Sequence, residues 1–488
     1  MVSTSHSPIE AESGPIAAGH FQFISYQAPD VARDKITMRQ ARSHAVKQAL
    51  ESKRKIQQES GDNFCVTTSR DKPRRVVGKG ARRAGTLAAT SLFSLSSGTL
   101  DPFQSLAVDS SRLQTLIGDC WLIINGLDRA RQAPEPVFSV AEDLAFQNFR
   151  SVFRTGLVDP ALLNAVMLSL AFAATAGGII TLDRECLGYQ GQAISYIRER
   201  MGSLDEANSA STIGAILLLA GVEARLGMTS QVQLHMGAVK MLLDMCRTKG
   251  IYLTGGIKRA IFWQDLNSSI LAGSTRVVDH TTFAELQWTR DPFSPFFFQL
   301  PPGFQTQSHM LTKEFIEVLE DIHALQCIRA VPCPAKCNAM LMENINNHTA
   351  SMQSRLVALP NLSPVLECCR LAAYLCSVML CCTTWCALVI PSHISSQLLH
   401  ELQQANNDPL WDDNPNLLLW LLYIGGAFAP TGAVRSAYVV LLRANNTARF
   451  KDLYRSWPEL LAILEGYIWS EKAFMAQVKA LWEETIAI

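Results

Sequence analysis

The chain has 488 residues, 48% of them hydrophobic and 18% charged, so it is too long for one ordinary core and too apolar to be disordered overall. The 43 Lys and Arg balance the 43 Asp and Glu, which by itself argues against a polyanionic partner. That average hides an asymmetry: between Val31 and Arg83 there are about 15 basic and about 5 acidic residues, roughly +10 against roughly −10 for the remainder.

Residues 1–20 are rich in Ser, Ala, Gly and Pro without periodicity, a composition that predicts disorder. Phe21 to Tyr26 is a short aromatic and apolar patch. From Lys35 to Gln58 good helix formers carry few apolar residues, which predicts a solvated basic helix between about Thr37 and Gln57. Ser69 to Arg83 is basic with Pro and Gly, and the Ser-rich stretch after it completes a linker. The reading of residues 1–100 is therefore a disordered basic head with one short helix.

Within that head, Lys53-Arg54-Lys55 and Lys72-Pro73-Arg74-Arg75 are separated by a polar interval, the layout of a nuclear import signal read through point charges. Together with Arg42, Lys47, Arg82 and Arg83, they are the candidate contacts to an import receptor or to nucleic-acid phosphates. A solvated tail without function is the plainer alternative. No recognisable folded module aims side chains at base edges, so any DNA contact here would be to the backbone.

At Asp101-Pro102-Phe103 the composition shifts, and residues 101–488 read as a helical domain. Helices are expected over Arg112–Ile124, Ala141–Thr155, Pro160–Ala176 and Asp183–Met201. Three more follow between Ser211 and Gly273. Ser211 and Thr212 are the cap types for the first, Thr229 and Ser230 open the second, and Gly227 and Gly250 are the stops. In the third, Phe262, Trp263, Leu266 and Ile270 share a face, with Lys258, Gln264, Asp265 and Ser268 expected elsewhere. Arg290 to Phe304 mixes Pro with Phe and reads as an ordered, partly buried connection, a seam between two halves. Beyond it helices are expected near Leu311–Ala330, Asn338–Leu356, Pro364–Val389, Ser395–Ala405, Asn416–Gly425, Gly432–Leu442 and Trp457–Ile486, the last with a break. Period-two alternation is missing and no fixed repeat is visible, so the predicted fold class is all-α, a large array of antiparallel helix pairs.

The run Leu371–Ile390 is long enough to span a membrane. It contains Ser, Thr and Cys, however, and Glu367 and Arg370 stand just before it, which favours a buried core helix. The 13 cysteines are odd in number, and Cys368, Cys369, Cys376, Cys381, Cys382 and Cys386 sit in one apolar stretch rather than in polar loops. The opening MVSTSHSPIEAESG has no apolar core of the signal-peptide type. Both features predict a reducing compartment, in which the sequons at Asn267, Asn347, Asn361 and Asn445 go unused.

Cys65 is the only cysteine before Cys120, too few thiolates for a binuclear zinc cluster, and Cys333 and Cys337 form a loop pair with no neighbouring second pair. The patterns G-x-S-x-G, H-E-x-x-H, G-x-x-x-x-G-K-[ST] and strand-borne G-x-G-x-x-G are absent. His235, on an apolar helix, reads as a packing residue, and Glu223 and Asp265 as partners of basic groups in a core. No catalytic residue, metal or cofactor is expected.

Ile213-Gly214-Ala215-Ile216-Leu217, Glu223, His235-Met236-Gly237-Ala238-Val239-Lys240, Gly255-Gly256 and Ile261-x-Trp263-x-Asp265 resemble, in that order, the centre of the fungal-specific transcription factor domain. Asp101-Pro102-Phe103 and the segment NPNLLLWLLYIGGAFA from Asn414 are similar to other parts of it. The opening Phe21-Gln22-Phe23, Pro29, Arg42-Ser43-His44 and Lys53-Arg54-Lys55 resembles the branch that lacks an N-terminal zinc cluster. The resemblance implies an all-helical regulatory domain in a nuclear transcription regulator, with control of a secondary-metabolite gene cluster as a further implication. Its partners would be the import receptor and the transcription machinery or another regulator. Two alternatives come from other classes: a membrane-associated or scaffold protein with Leu371–Ile390 inserted and the head on anionic lipid, and a helical enzyme without a recognisable motif.

Overall fold

The computed structural model describes residues 111–116, 156–175, 182–291, 293–330, 339–381, 389–451 and 453–486. The chain divides into Met1–Gly85 and Thr86–Ile488, and every described residue lies in the second unit. The predicted basic helix, the two basic clusters and the pair Cys333 and Cys337 lie outside the described residues, as does the expected helix Ala141–Thr155. Among the described residues there is helix and no strand, as the missing period-two alternation implies.

Residues 111–116 are helical and supply Leu113 and Leu116 to a first core. That core is shared by α1 (Pro160–Thr175), α2 (Arg184–Arg200) and α4 (Ala210–Arg225), with the short α3 (Leu204–Ala207) before α4. Asp183 caps α2 by accepting from the Cys186 amide. At α4 the cap is Ser209, which accepts from Thr212 N, not Ser211 or Thr212 as the apolar pattern suggested. The register moves because Thr212 is fully buried and its hydroxyl is taken up by the Glu206 carbonyl.

A second core joins α4 to α5 (Thr229–Lys249) and α6 (Gly255–Ala272). Gly227, Gly250 and Gly273 all stand in the left-handed region, at φ of 70°, 67° and 63°, where a Cβ would be strained, so the two expected stops, Gly227 and Gly250, are real ones and Gly273 is a third. The face assignment of α6 needs correction. Phe262 and Leu266 are buried as expected, but so are Asp265 and Ser268 on the other side. The helix is covered twice, by α4 on one flank and by α9 (Ala339–Ala358) and α11 (Val389–Gln404) on the other. Ile270 and Leu271 pack into both the second core and the large third one.

The segment after α6 is an ordered connection rather than a long helix. It contains a 3-10 turn at Pro295–Phe297 and the short α7 (Pro302–Gln305), and it buries Phe304 against Trp420 and Tyr467 at ring distances of 5.4 and 5.1 Å. The third core is built from α8 (Lys313–Ala330), α9, α10 (Pro364–Cys381), α11, the short α12 (Leu410–Asp413), α13 (Pro415–Ala427), α14 (Ala433–Ala448), α15 (Trp457–Leu464) and α16 (Glu471–Ile486). Helix α13 is buried along its whole apolar length, from Leu417 to Ala427. It can be crossed closely by α14 only because Gly425 has no side chain: a Cβ there would stand 2.7 Å from Tyr438 Cζ.

Helix α10 carries the described part of the long apolar run. Leu371, Tyr374, Leu375, Cys376 and Leu380 are buried among other helices, so this part is core. Among the described residues no helix is long and apolar enough to cross a membrane. Helix α10 is described to Cys381, and its expected end at Val389 falls beyond residues 382–388, which lie outside the described residues. The helix expected from Ser395 is already present at Val389, six residues earlier.

Candidate functional site

The acidic residues that the sequence placed in apolar helices do find basic partners. Glu223 of α4 is reached by His235 of α5, with Nε2 at 3.1 Å from Oε2, and by Gln190 of α2, whose amide donates to Oε1 at 3.1 Å. Asp265 is fully buried and accepts from the Val277 and Val278 amides at 3.0 and 3.2 Å and from Arg276 Nε at 3.2 Å. Burial pushes its carboxyl up, against the pull of those amides and of Arg276. Arg276 also donates to Ser354 at 2.7 Å, and Arg259 to Asn347 and Glu343 at 2.5 and 2.6 Å, so both groups fasten α6 to α9. These are structural pairs that join neighbouring helices, although Glu223 Oε2 and the second terminal nitrogen of Arg276 are buried without a well-formed hydrogen bond.

A second charged cluster was not anticipated, and it borders an open cleft of about 540 Å³. One wall is the face of α8 that carries Lys313, Ile316, Glu317, Glu320 and Asp321, a spacing that puts all five on adjacent turns. The other walls are Arg355 of α9 and the loop residues Trp288 and Arg290, the latter at the start of the predicted seam. At its base is Asp321, only 1% exposed. Arg355 donates to Asp321 Oδ2 at 2.7 Å and approaches Glu317 at 3.1 Å, and Arg290 lies 3.1 Å from both Asp321 Oδ1 and Glu320. The Arg290 guanidinium is held against the Phe298 ring at 4.8 Å.

Two features of this cluster are unusual for a plain ion-pair network. Asp321 Oδ1, although 3.1 Å from Arg290, makes no well-aligned hydrogen bond, and the indole Nε1 of Trp288 is buried without a hydrogen-bond partner. Behind Trp288, stacked on it at 4.1 Å and nearly parallel, is His348, wholly buried and with neither ring nitrogen in a well-formed hydrogen bond. Burial pushes Asp321 up to about 6 in spite of two arginines, and pushes His348 down to about 3, with Arg290 and Arg355 adding to the fall. The cleft thus concentrates charge over a poorly solvated base.

No nucleophile-and-base pair lies in the cleft. Among the described residues no group of three or more His, Cys, Asp or Glu is arranged to hold a metal ion. The described thiols are free, and burial raises those of Cys368, Cys369 and Cys376, that of Cys369 to about 12, which leaves them protonated and unreactive. Of the basic residues assigned to import or phosphate contact, Arg42, Lys47, Lys53, Arg54, Lys55, Lys72, Arg74, Arg75, Arg82 and Arg83, every one lies outside the described residues. No protein-family model matches the chain, and neither does any curated protein or solved structure.

Proposed function

We propose that the chain is a transcription regulator of fungal type that works in the nucleus, its basic head providing import and backbone contact with DNA and its helical body serving as the regulatory domain. The reading is supported by one combination above all: a segment of about +10 between Val31 and Arg83 in the same chain as a body built of helices. The likeness of Ser211–Gly273 and Asn414–Ala429 to the fungal regulatory domain adds the word transcription, and control of clustered metabolic genes comes with that likeness. In such a domain the partners are the import receptor and the transcription machinery or another regulator, recognised through apolar and charged surfaces rather than through catalysis.

The test is the position of a fluorescent fusion in the cell. The wild-type chain is expected in the nucleus, and simultaneous neutralisation of Lys53, Arg54, Lys55, Arg74 and Arg75 is expected to move it to the cytoplasm, with a single replacement doing little. A fivefold variant that stays nuclear would remove these clusters from the import role.

A further inference from the structure

The cleft between α8, α9 and the Trp288–Arg290 loop is balanced in charge: Arg290, Lys313 and Arg355 face Glu317, Glu320 and Asp321. The two signs are not equally buried. Asp321 is fixed at the base, whereas Arg290 and Glu317 are each 43% exposed and Lys313 is 92% exposed. Each of the pairs Arg290 with Glu320 and Arg355 with Glu317 has one partner 43% exposed, while Glu320 and Arg355 are 23% and 15% exposed, so the exposed partner can give way to a ligand but the more buried one must be paired again. A simple anion would free carboxylates without giving them a new partner, and a simple cation would do the same to the arginines. Only a molecule that carries both charges lets every displaced group be paired again.

We propose that this cleft is a binding site for a small zwitterion of amino-acid to dipeptide size, its carboxylate on Arg290 and Arg355 and its ammonium on Glu317 and Glu320. The two arginines are already aimed, Arg355 by its bond to buried Asp321 and Arg290 by its seat on Phe298, so little side-chain entropy remains to be lost on binding. The volume of about 540 Å³ falls within the range of small-molecule sites. Trp288 and Ile316 provide the apolar wall. The inference rests on the cleft alone and goes beyond the regulator reading, since a helical body with another role would keep the same site.

The test is titration calorimetry of the full chain with the free α-amino acids and with phenylalanine-containing dipeptides. Each ligand that binds is then repeated as its N-acetyl derivative and its C-terminal amide. At least one zwitterion is expected to bind, and each derivative to bind about tenfold or more weakly, because a charge in the cleft is then left unpaired. Arg290→Gln should abolish the preference for the free acid over the amide, and Glu320→Gln the preference for the free amine over the acetylated form. If a variant fails to fold, the derivative series on the wild-type chain decides alone. The proposal is overturned if no zwitterion binds at millimolar concentration, or if the acetylated and amidated forms bind as tightly as the parent.

Discussion

Leu375→Ala is expected to lower the unfolding free energy of the chain by about 2–5 kcal/mol, through lost transfer energy and a residual cavity. Leu375 is fully buried in the middle of α10, in the same core as Tyr374, Cys376 and Leu380. Close packing on all sides leaves few routes for collapse into the space of the missing isobutyl group, which favours the upper part of that range. Denaturant unfolding of the purified wild type and variant measures the difference. A loss below about 1 kcal/mol would mean that this side chain faces a phase as apolar as itself, as a lipid-facing residue does.

His348→Phe is expected to stabilise the chain, and to do so more strongly as the pH falls. In the fold His348 stays neutral down to about pH 3, whereas in the unfolded chain it titrates at its ordinary 6.5. Below pH 6.5 the unfolded state takes up a proton that the fold refuses, so wild-type stability is lost in the window from 6.5 down to 3. Asp321 acts in the opposite sense. Its carboxyl is raised from 3.8 to about 6, so between those values the fold holds a proton that the unfolded chain has released, and stability rises as the pH falls from 6 to 3.8. The two slopes cancel over much of that interval, and the acid loss returns once Asp321 is protonated in both states. The Phe ring keeps the stack on Trp288 and removes the first slope only. The stability gained over wild type should therefore be about 2 kcal/mol larger at pH 5 than at pH 7.5. Denaturant midpoints of both proteins at the two pH values measure it, and a gain independent of pH would show that His348 takes up its proton in the fold.

What could be read from the sequence divides along a physical line. Helix ends were legible because caps are local: Asp183, Gly227 and Gly250 act within a turn or two of their own position. Burial of apolar stretches was legible for α10 and α13, since a helix apolar all round must be covered on all sides. The partners of buried charges were not. Asp265 is matched by the backbone of residues 277 and 278, and Asp321 by Arg355, 34 positions away. Nothing in the spacing of α6 says that its polar side is covered by α9 and α11.

The cleft had one signal that pattern reading can use. In FIEVLEDIHAL the apolar stripe runs through Phe315, Val318, Leu319, Ile322 and Leu325, and Asp321 falls three after Val318 and four before Leu325, at the edge of that stripe. A carboxylate at that register must be drawn into the core or must bend the pattern. Arg290 and Arg355, by contrast, look like ordinary surface charges until the seam loop brings Arg290 across α8. The basic head shows the reverse case: it lies outside the described residues, and its functional expectation rests on composition alone.

The proposal that this chain regulates transcription is tested most directly by cross-linking the tagged full chain to chromatin in living cells and mapping the DNA that is recovered. Enrichment at a discrete set of promoters is expected, lost when Lys53, Arg54, Lys55, Arg74 and Arg75 are neutralised together. Recovery no higher than from cells without the tag would contradict it.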